Sequence, residues 1–407
     1  MPAASRVLVT VVTLLMAACS VVLGGGGGGC FTRLFSFGDS ITDNGNWMHY
    51  ARSPGAVARP PYGETFFRRP NGRFCDGRII IDHIGACVHA LLISPPLLAS
   101  YTRLLWSAVL HLAADALGIP FLTPYLAGNS SEDYAHGANF AVGGATALGH
   151  DYFRRKKLDA RFTPYSLRWQ MSWLKKVLRM LAPEQGRGWS DLMESSLFLV
   201  GEIGGNDYNQ ALFQGRSVDE VKTYVPDVVA GISASLTELI GLGARTVVVP
   251  GNFPIGCNPG YLTKFPTNDT AQYDSMGCLR WPNDLTQLHN RALRAELAKL
   301  RRHHPGVAVV YADYYAAAMD LTADPRKQGF GGEPLVSCCG GVGPYNANLT
   351  AHCGTRTATT CKDPYAAVSW DGFHYTDHAY KVITDGVFRG PHAVPPITLA
   401  KCSRRRP

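Results

Sequence analysis

Five short apolar runs, spaced by longer segments with helical periodicity, most restrict what this chain can fold into. The runs are Leu34 to Phe37, Asn139 to Val142, Leu197 to Val200, Thr246 to Val249 and Val307 to Tyr311. Between the third and fourth, Ser217 and Glu220 form a capping box ahead of Val221, Val225, Val228, Ile232, Leu236 and Leu239 on one helical side. Leu285, Leu288, Ala292, Leu293, Leu297 and Leu300 make a second stripe before the fifth run. Strand and helix in alternation predict an α/β fold with a mostly parallel five-stranded sheet covered by helices on both faces. With 407 residues, 46% of them hydrophobic and 17% charged, the chain can bury one large core, and no shift of composition divides it. We expect a single domain over 30–395, between a leader at 1–29 and a basic tail at 396–407.

The leader has a secretory layout: Arg6, an apolar run from Val7 to Met16, then Ala17, Ala18, Cys19 and Ser20. Export and removal are the consequence. An uncleaved anchor is the alternative, but Val7 to Leu23 is barely long enough to span and Gly24 to Gly29 ends it, so no stable membrane span is expected. Sequons at Asn129, Asn268 and Asn348 fit a secretory route and mark glycosylation candidates. Of the eleven cysteines, ten remain once Cys19 leaves. Cys257 with Cys278, and Cys338, Cys339, Cys353 and Cys361, read as disulfide staples across surface loops whose pairing stays open. Zinc is the rival for such clusters, but no C-x-x-C or H-x-x-x-H partner accompanies them. The net charge of +8 is scattered, with short basic runs at Arg68-Arg69, Arg154 to Lys157 and Arg404 to Arg406. Neither a basic stripe with interleaved aromatics nor a nucleic-acid-binding module is present, which argues against a nucleic acid partner.

In an open parallel sheet, ligands bind beyond the carboxyl ends of the strands. Directly after the first run stands Gly38-Asp39-Ser40, where glycine allows a tight turn that exposes a hydroxyl. After the second come Gly143-Gly144, and after the third Gly204-Gly205-Asn206-Asp207. A glycine N–H and an asparagine amide at neighbouring strand ends can form an oxyanion hole. Near the C-terminus, Asp371 and His374 lie three residues apart, a spacing that lets the carboxylate hold His Nδ1–H and leaves Nε2 free to take a serine proton. Each motif alone is as easily a structural turn. Their conjunction supplies nucleophile, donors and base together.

These segments resemble the blocks of the plant-type GDSL esterase/lipase family, within the SGNH hydrolases. The likeness runs from about Leu34 to about Val387 and includes Gly137 to Thr146, Pro254-Ile255-Gly256-Cys257, Cys338-Cys339-Gly340 and His374-Tyr375-Thr376. It implies a flavodoxin-like three-layer αβα sandwich without metal or organic cofactor. It also implies Ser40 as nucleophile, Asp371 and His374 as the rest of a triad, and the Ser40 amide, Gly144 and Asn206 as oxyanion donors. The motif that names the family reads Ile41 here where Leu is usual, a volume-conserving change.

One departure stands out. The family pattern passes from Asp82-His83-Ile84 into a segment like Ala114 to Pro120, whereas Gly85 to Ala113 intervene here as an atypical apolar insertion containing Cys87. Pro95-Pro96 and Arg103 interrupt any span. The stretch reads as sequence foreign to the fold or as an apolar lid; without Cys87 nine cysteines remain, leaving one thiol free.

The expected activity is hydrolysis of a carboxylic ester through an acyl-serine by a secreted, extracellular monomer of the cell wall or apoplast. Its partner is a small-molecule, lipid or acylated-carbohydrate ester. The rivals are an acyltransferase or polysaccharide deacetylase with the same triad, and a catalytically silent, wall-associated carbohydrate-binding protein.

Overall fold

The computed structural model describes residues 31–84 and 121–397, apart from Arg161, Gln185, Gly332 and Leu349. The leader, the 85–113 insertion and residues 398–407 of the basic tail lie outside the described residues. The strands are β1 (Arg33–Phe37), β2 (Thr123–Pro124), β3 (Gly137–Asn139), β4 (Ser196–Val200), β5 (Thr246–Pro250), β6 (Ala308–Ala312), β7 (Cys339–Gly340), β8 (Thr359–Thr360) and β9 (Ala393–Val394). Six of them lie parallel in the order β2-β3-β1-β4-β5-β6, and β9 pairs antiparallel with β6 at the edge. The five expected strands are thus the middle of a seven-stranded sheet. The added edges are two residues long, too short for an apolar pattern to announce them.

Strand alternation divides the interior into two cores. Phe35, Phe37, Phe198, Val200, Val247, Val249, Val309 and Tyr311 face one side, against α1 (Leu167–Leu181), α2 (Gly205–Leu212), α3 (Val225–Gly241) and α4 (Arg280–His303). Leu34, Leu197, Leu199, Val248, Val310 and Ala312 face the other, against Ile79 to Ile84, α5 (Tyr314–Ala323) and α6 (Asp377–Phe388). The result is the three-layer αβα sandwich that the resemblance implies.

Two elements differ from expectation for local reasons. The second strand ends at Asn139 instead of running to Val142, because Asn139 Oδ1 accepts the Ala141 N–H (3.0 Å) and turns the chain. The helix expected from Ser217 onward is broken in two: Ser217 caps Val218–Lys222 by accepting from Glu220 N (3.2 Å), and α3 restarts at Val225. Pro226, at the start of α3, has no N–H to give the preceding turn. The staples pair as Cys257–Cys278, Cys338–Cys361 and Cys339–Cys353. Among the described residues Cys75 is a free, buried thiol.

Candidate active site

Ser40 sits in the turn after β1. Gly38 has φ 145°, and a Cβ there would collide with Thr42 Oγ1 and the Glu202 carbonyl, so the turn requires glycine. Asp39 shapes the residues after it: its Oδ1 accepts the Ile41 N–H (3.0 Å) and its carbonyl accepts from Asp43 N (2.9 Å). The Asp43 carboxylate then ties two loops together, taking Gly45 N and Asn46 N on Oδ1, and Trp47 N and Gly143 N (2.8 Å) on Oδ2. The Gly143-Gly144 loop is thereby fixed against the serine turn.

The Asp371–His374 turn arrives from the far end of the chain. His374 Nε2 lies 2.8 Å from Ser40 Oγ, and Nδ1 lies 2.9 and 2.8 Å from the two Asp371 oxygens. Asp371 Oδ1 also accepts from the N–H groups of Phe373 and His374, and Oδ2 accepts from the Tyr62 hydroxyl at 2.9 Å. Fully buried Trp370 packs with Tyr62, Cys338, Cys339 and Cys353, and its carbonyl accepts from Cys339 N. Two disulfides therefore brace the segment that leads into this turn. On the other side Thr376 caps α6, and the Asp377 carboxylate accepts from Arg78 N (2.7 Å) and pairs with the Arg78 guanidinium and His83.

Gly144, at φ 75°, follows β3, and a Cβ there would strike Phe162. The N–H groups of Ser40 and Gly144 find no acceptor among the described residues. Asn206, in the first turn of α2, differs: its Nδ2 donates to Asp39 Oδ2 (2.9 Å) and to the Ala145 carbonyl (3.1 Å). Asp207 anchors that helix by accepting from Ala147 N and Leu148 N. The expected catalytic and oxyanion-hole residues thus fall in one locality, built on the ends of β1, β3 and β4 and the turn before α6.

The family model of GDSL-like lipase/acylhydrolase matches residues 34–387 of this chain. The chain belongs to that family. It is 42% identical over 370 residues to a GDSL esterase/lipase of Arabidopsis thaliana, covering 90% of this chain and 86% of the relative. A second Arabidopsis thaliana GDSL esterase/lipase is 40% identical over 371 residues, covering 90% and 87%. The sinapine esterase of Brassica napus is 38% identical over 368 residues, again covering 90% and 87%. The protein is a carboxylic ester hydrolase of this family, acting on ester substrates.

Around the site the enzyme buries several acids. Burial pushes Asp39 up to about 7, against the Ile41 N–H and the charge of His374, and pushes Asp207 to about 7 and Asp43 to about 6. Asp76, under the Asp377 loop, is raised by burial and by Asp377 to about 6. Asp371 goes the other way: burial raises it, but the charge and hydrogen bond of His374, the Phe373 amide and Tyr62 together hold it below the usual carboxylate range. Among the described residues no group of three or more His, Cys, Asp or Glu side chains could hold a metal ion.

These shifts give the fold a pH dependence. Unfolded aspartates titrate near 4, so between about pH 4 and 7 the four raised carboxyls bind more protons in the folded state than in the unfolded one, and stability rises as pH falls through that window. Glu202, raised further by burial, adds to this rise. Buried His289 and His378, both lowered by desolvation, act in the opposite sense below about pH 6.5, and the lowered carboxyls Asp371 and Asp377 oppose it only as pH falls toward 4, beneath the range tested. The melting temperature should increase as pH is taken from 7.5 to about 5, and a steady decrease over that range would contradict it.

Sequence reasoning missed Tyr62, Asp39 and Glu202. Tyr62 is 309 positions from Asp371 and carries no local signal. Glu202 did carry one, an acid two residues after the fully buried strand β4.

Proposed function

We propose that the enzyme cleaves carboxylic esters through an acyl-Ser40 intermediate. The observation that carries this reading is the unbroken chain Ser40 Oγ, His374 Nε2, His374 Nδ1, Asp371, with each link at 2.8 to 2.9 Å. Ser40 Oγ attacks the carbonyl carbon as its proton passes to Nε2, and Asp371 holds the ring in the required tautomer and balances the imidazolium. The carbonyl oxygen, now negative, takes the free N–H groups of Ser40 and Gly144. Asn206 joins them when its longer bond, to the Ala145 carbonyl, yields to the oxyanion. Collapse expels the alcohol with the proton from His374, and a water repeats the sequence to release the acid.

Phe74 lies against the His374 ring at 5.1 Å, and Phe162 lies over Gly144, so apolar ring surface borders the reacting atoms and favours esters with an apolar acyl or alcohol part. Esters of graded acyl length, with sinapine included because a relative is named for it, test the reading. Hydrolysis of at least one that is lost in Ser40→Ala supports it. Transfer of the acyl group to an added sugar or alcohol in place of acid release selects the transferase rival, and inertness to all esters and to a serine-directed phosphonate selects the silent binding protein.

Secretion belongs to the same proposal. Its support is the apolar leader and the three disulfides among the described residues, bonds that persist in oxidising compartments. Asn129 and Asn268 are exposed and Asn348 is half-exposed, as attachment of a glycan requires. Among the described residues no helix is long and apolar enough to cross a membrane.

Tyr62 supplies a test of the triad. Its hydroxyl is one of the donors that stabilise ionised Asp371, so in Tyr62→Phe the carboxylate draws harder on His374 Nδ1–H and favours the imidazolium. The acid limb of kcat/KM should move to higher pH and kcat should fall by about tenfold. A lowered melting temperature with an unmoved limb would make Tyr62 a packing residue only.

A further inference from the structure

Beneath the nucleophile turn, two buried carboxyl groups meet. Glu202 follows β4 by two residues, is almost fully buried, and sets its carboxyl within side-chain hydrogen-bond reach of the carboxyl of Asp39. A carboxylate offers no hydrogen, so a bond between them exists only if one of the two acids keeps a proton. The other contacts decide which. Asp39 accepts the Ile41 N–H and Asn206 Nδ2–H and faces His374, all of which favour its anion. Glu202 has the Asn252 amide at 2.8 Å from Oε1 and the Gly205 N–H nearby, with Asp39 and Asp207 as its negative neighbours and Tyr208, Tyr314 and Tyr375 around it. Burial and the Asp39 charge hold Glu202 well above the carboxylate range.

We propose that Glu202 is a neutral carboxylic acid that positions Asn206: its O–H donates to Asp39, and Asp39 in turn holds the Asn206 amide at the nucleophile turn. This rests on the reading of Asn206 as an oxyanion donor. Glu202 touches no reacting atom and acts only through Asp39. Above about pH 7, where Asp39 is ionised, the Glu202 proton leaves Asp39 an acceptor on both oxygens, one for Ile41 N and one for Asn206 Nδ2. Without it, Asp39 would either face a second negative charge in a dry site or take up a proton itself and compete with the Asn206 amide as a donor.

Glu202→Gln retains a neutral donor toward Asp39 and an acceptor toward Asn252, and its kcat should stay within about threefold of the parent. Glu202→Leu should lower kcat by about 10- to 100-fold and leave KM nearly unchanged, as expected when a transition-state donor is mis-set. Placed in an Asn206→Ala background, Glu202→Leu should add almost nothing, because the two act as one unit. A glutamine variant as poor as the leucine one, or a leucine effect that multiplies fully on Asn206→Ala, would overturn the proposal. If the leucine variant does not fold, infrared difference spectra decide: the parent at neutral pH should show a carboxylic-acid C=O band that Glu202→Gln lacks, and an unchanged band overturns the claim. Normal kcat in Asn206→Ala would instead remove the oxyanion reading, a failure separate from the infrared result.

Discussion

Ser40→Ala should lower kcat/KM on any hydrolysed ester by about 10⁴ to 10⁶ and shift the melting temperature by no more than about 2 °C. The activity loss is large because His374 has no other nucleophile to deprotonate within the chain of bonds that ends at Asp371. The stability change is small because Ser40 is half-exposed and its turn is held by Asp39 and Asp43 through backbone groups that the substitution leaves alone. Circular dichroism and a thermal scan beside ester hydrolysis give both numbers. Residual turnover near the parent value would remove Ser40 from the chemistry, and loss of fold would leave the turn, and not the hydroxyl, as its contribution.

Asn206→Ala should lower kcat by about 10² to 10³ and change KM less than threefold, the pattern of a donor engaged mainly in the transition state. Its present bonds show why the cost falls on kcat. Asp39 fixes the amide from one side, and on the proposed reading the hydrogen now given to the Ala145 carbonyl is the one that turns to the oxyanion. Steady-state kinetics on a fast ester separates the two constants. An increase in KM at constant kcat would make Asn206 a contact to ground-state substrate.

The candidate site was more legible in the sequence than the contacts that support it. Ser40, Gly144 and Asn206 could be found because each follows an apolar run, and the sheet brings the ends of parallel strands β1, β3 and β4 together whatever the loops between them do. Asp371 and His374 were legible because their interaction is local, three residues within one turn. Tyr62 and Glu202 act across the fold, on Asp371 and Asp39, and only the tertiary arrangement makes those pairs neighbours. The cysteine pairing was hidden for a similar reason. Adjacent Cys338 and Cys339 go to different partners, Cys361 and Cys353, as successive side chains of extended chain point to opposite faces. Where the helix expectation failed, Pro226 was visible all along, but the apolar stripe crosses the break without losing its period.

The central claim is that Ser40 becomes acylated. Brief mixing of the enzyme with an activated ester, acid quenching and peptide mass spectrometry measures this directly. One added acyl group is expected on the peptide containing Ser40, absent in Ser40→Ala and, in Asp371→Asn, formed more slowly by about 10⁴. An acyl group on any other residue, or ester turnover with no acylated peptide trapped at any quench time, would contradict it.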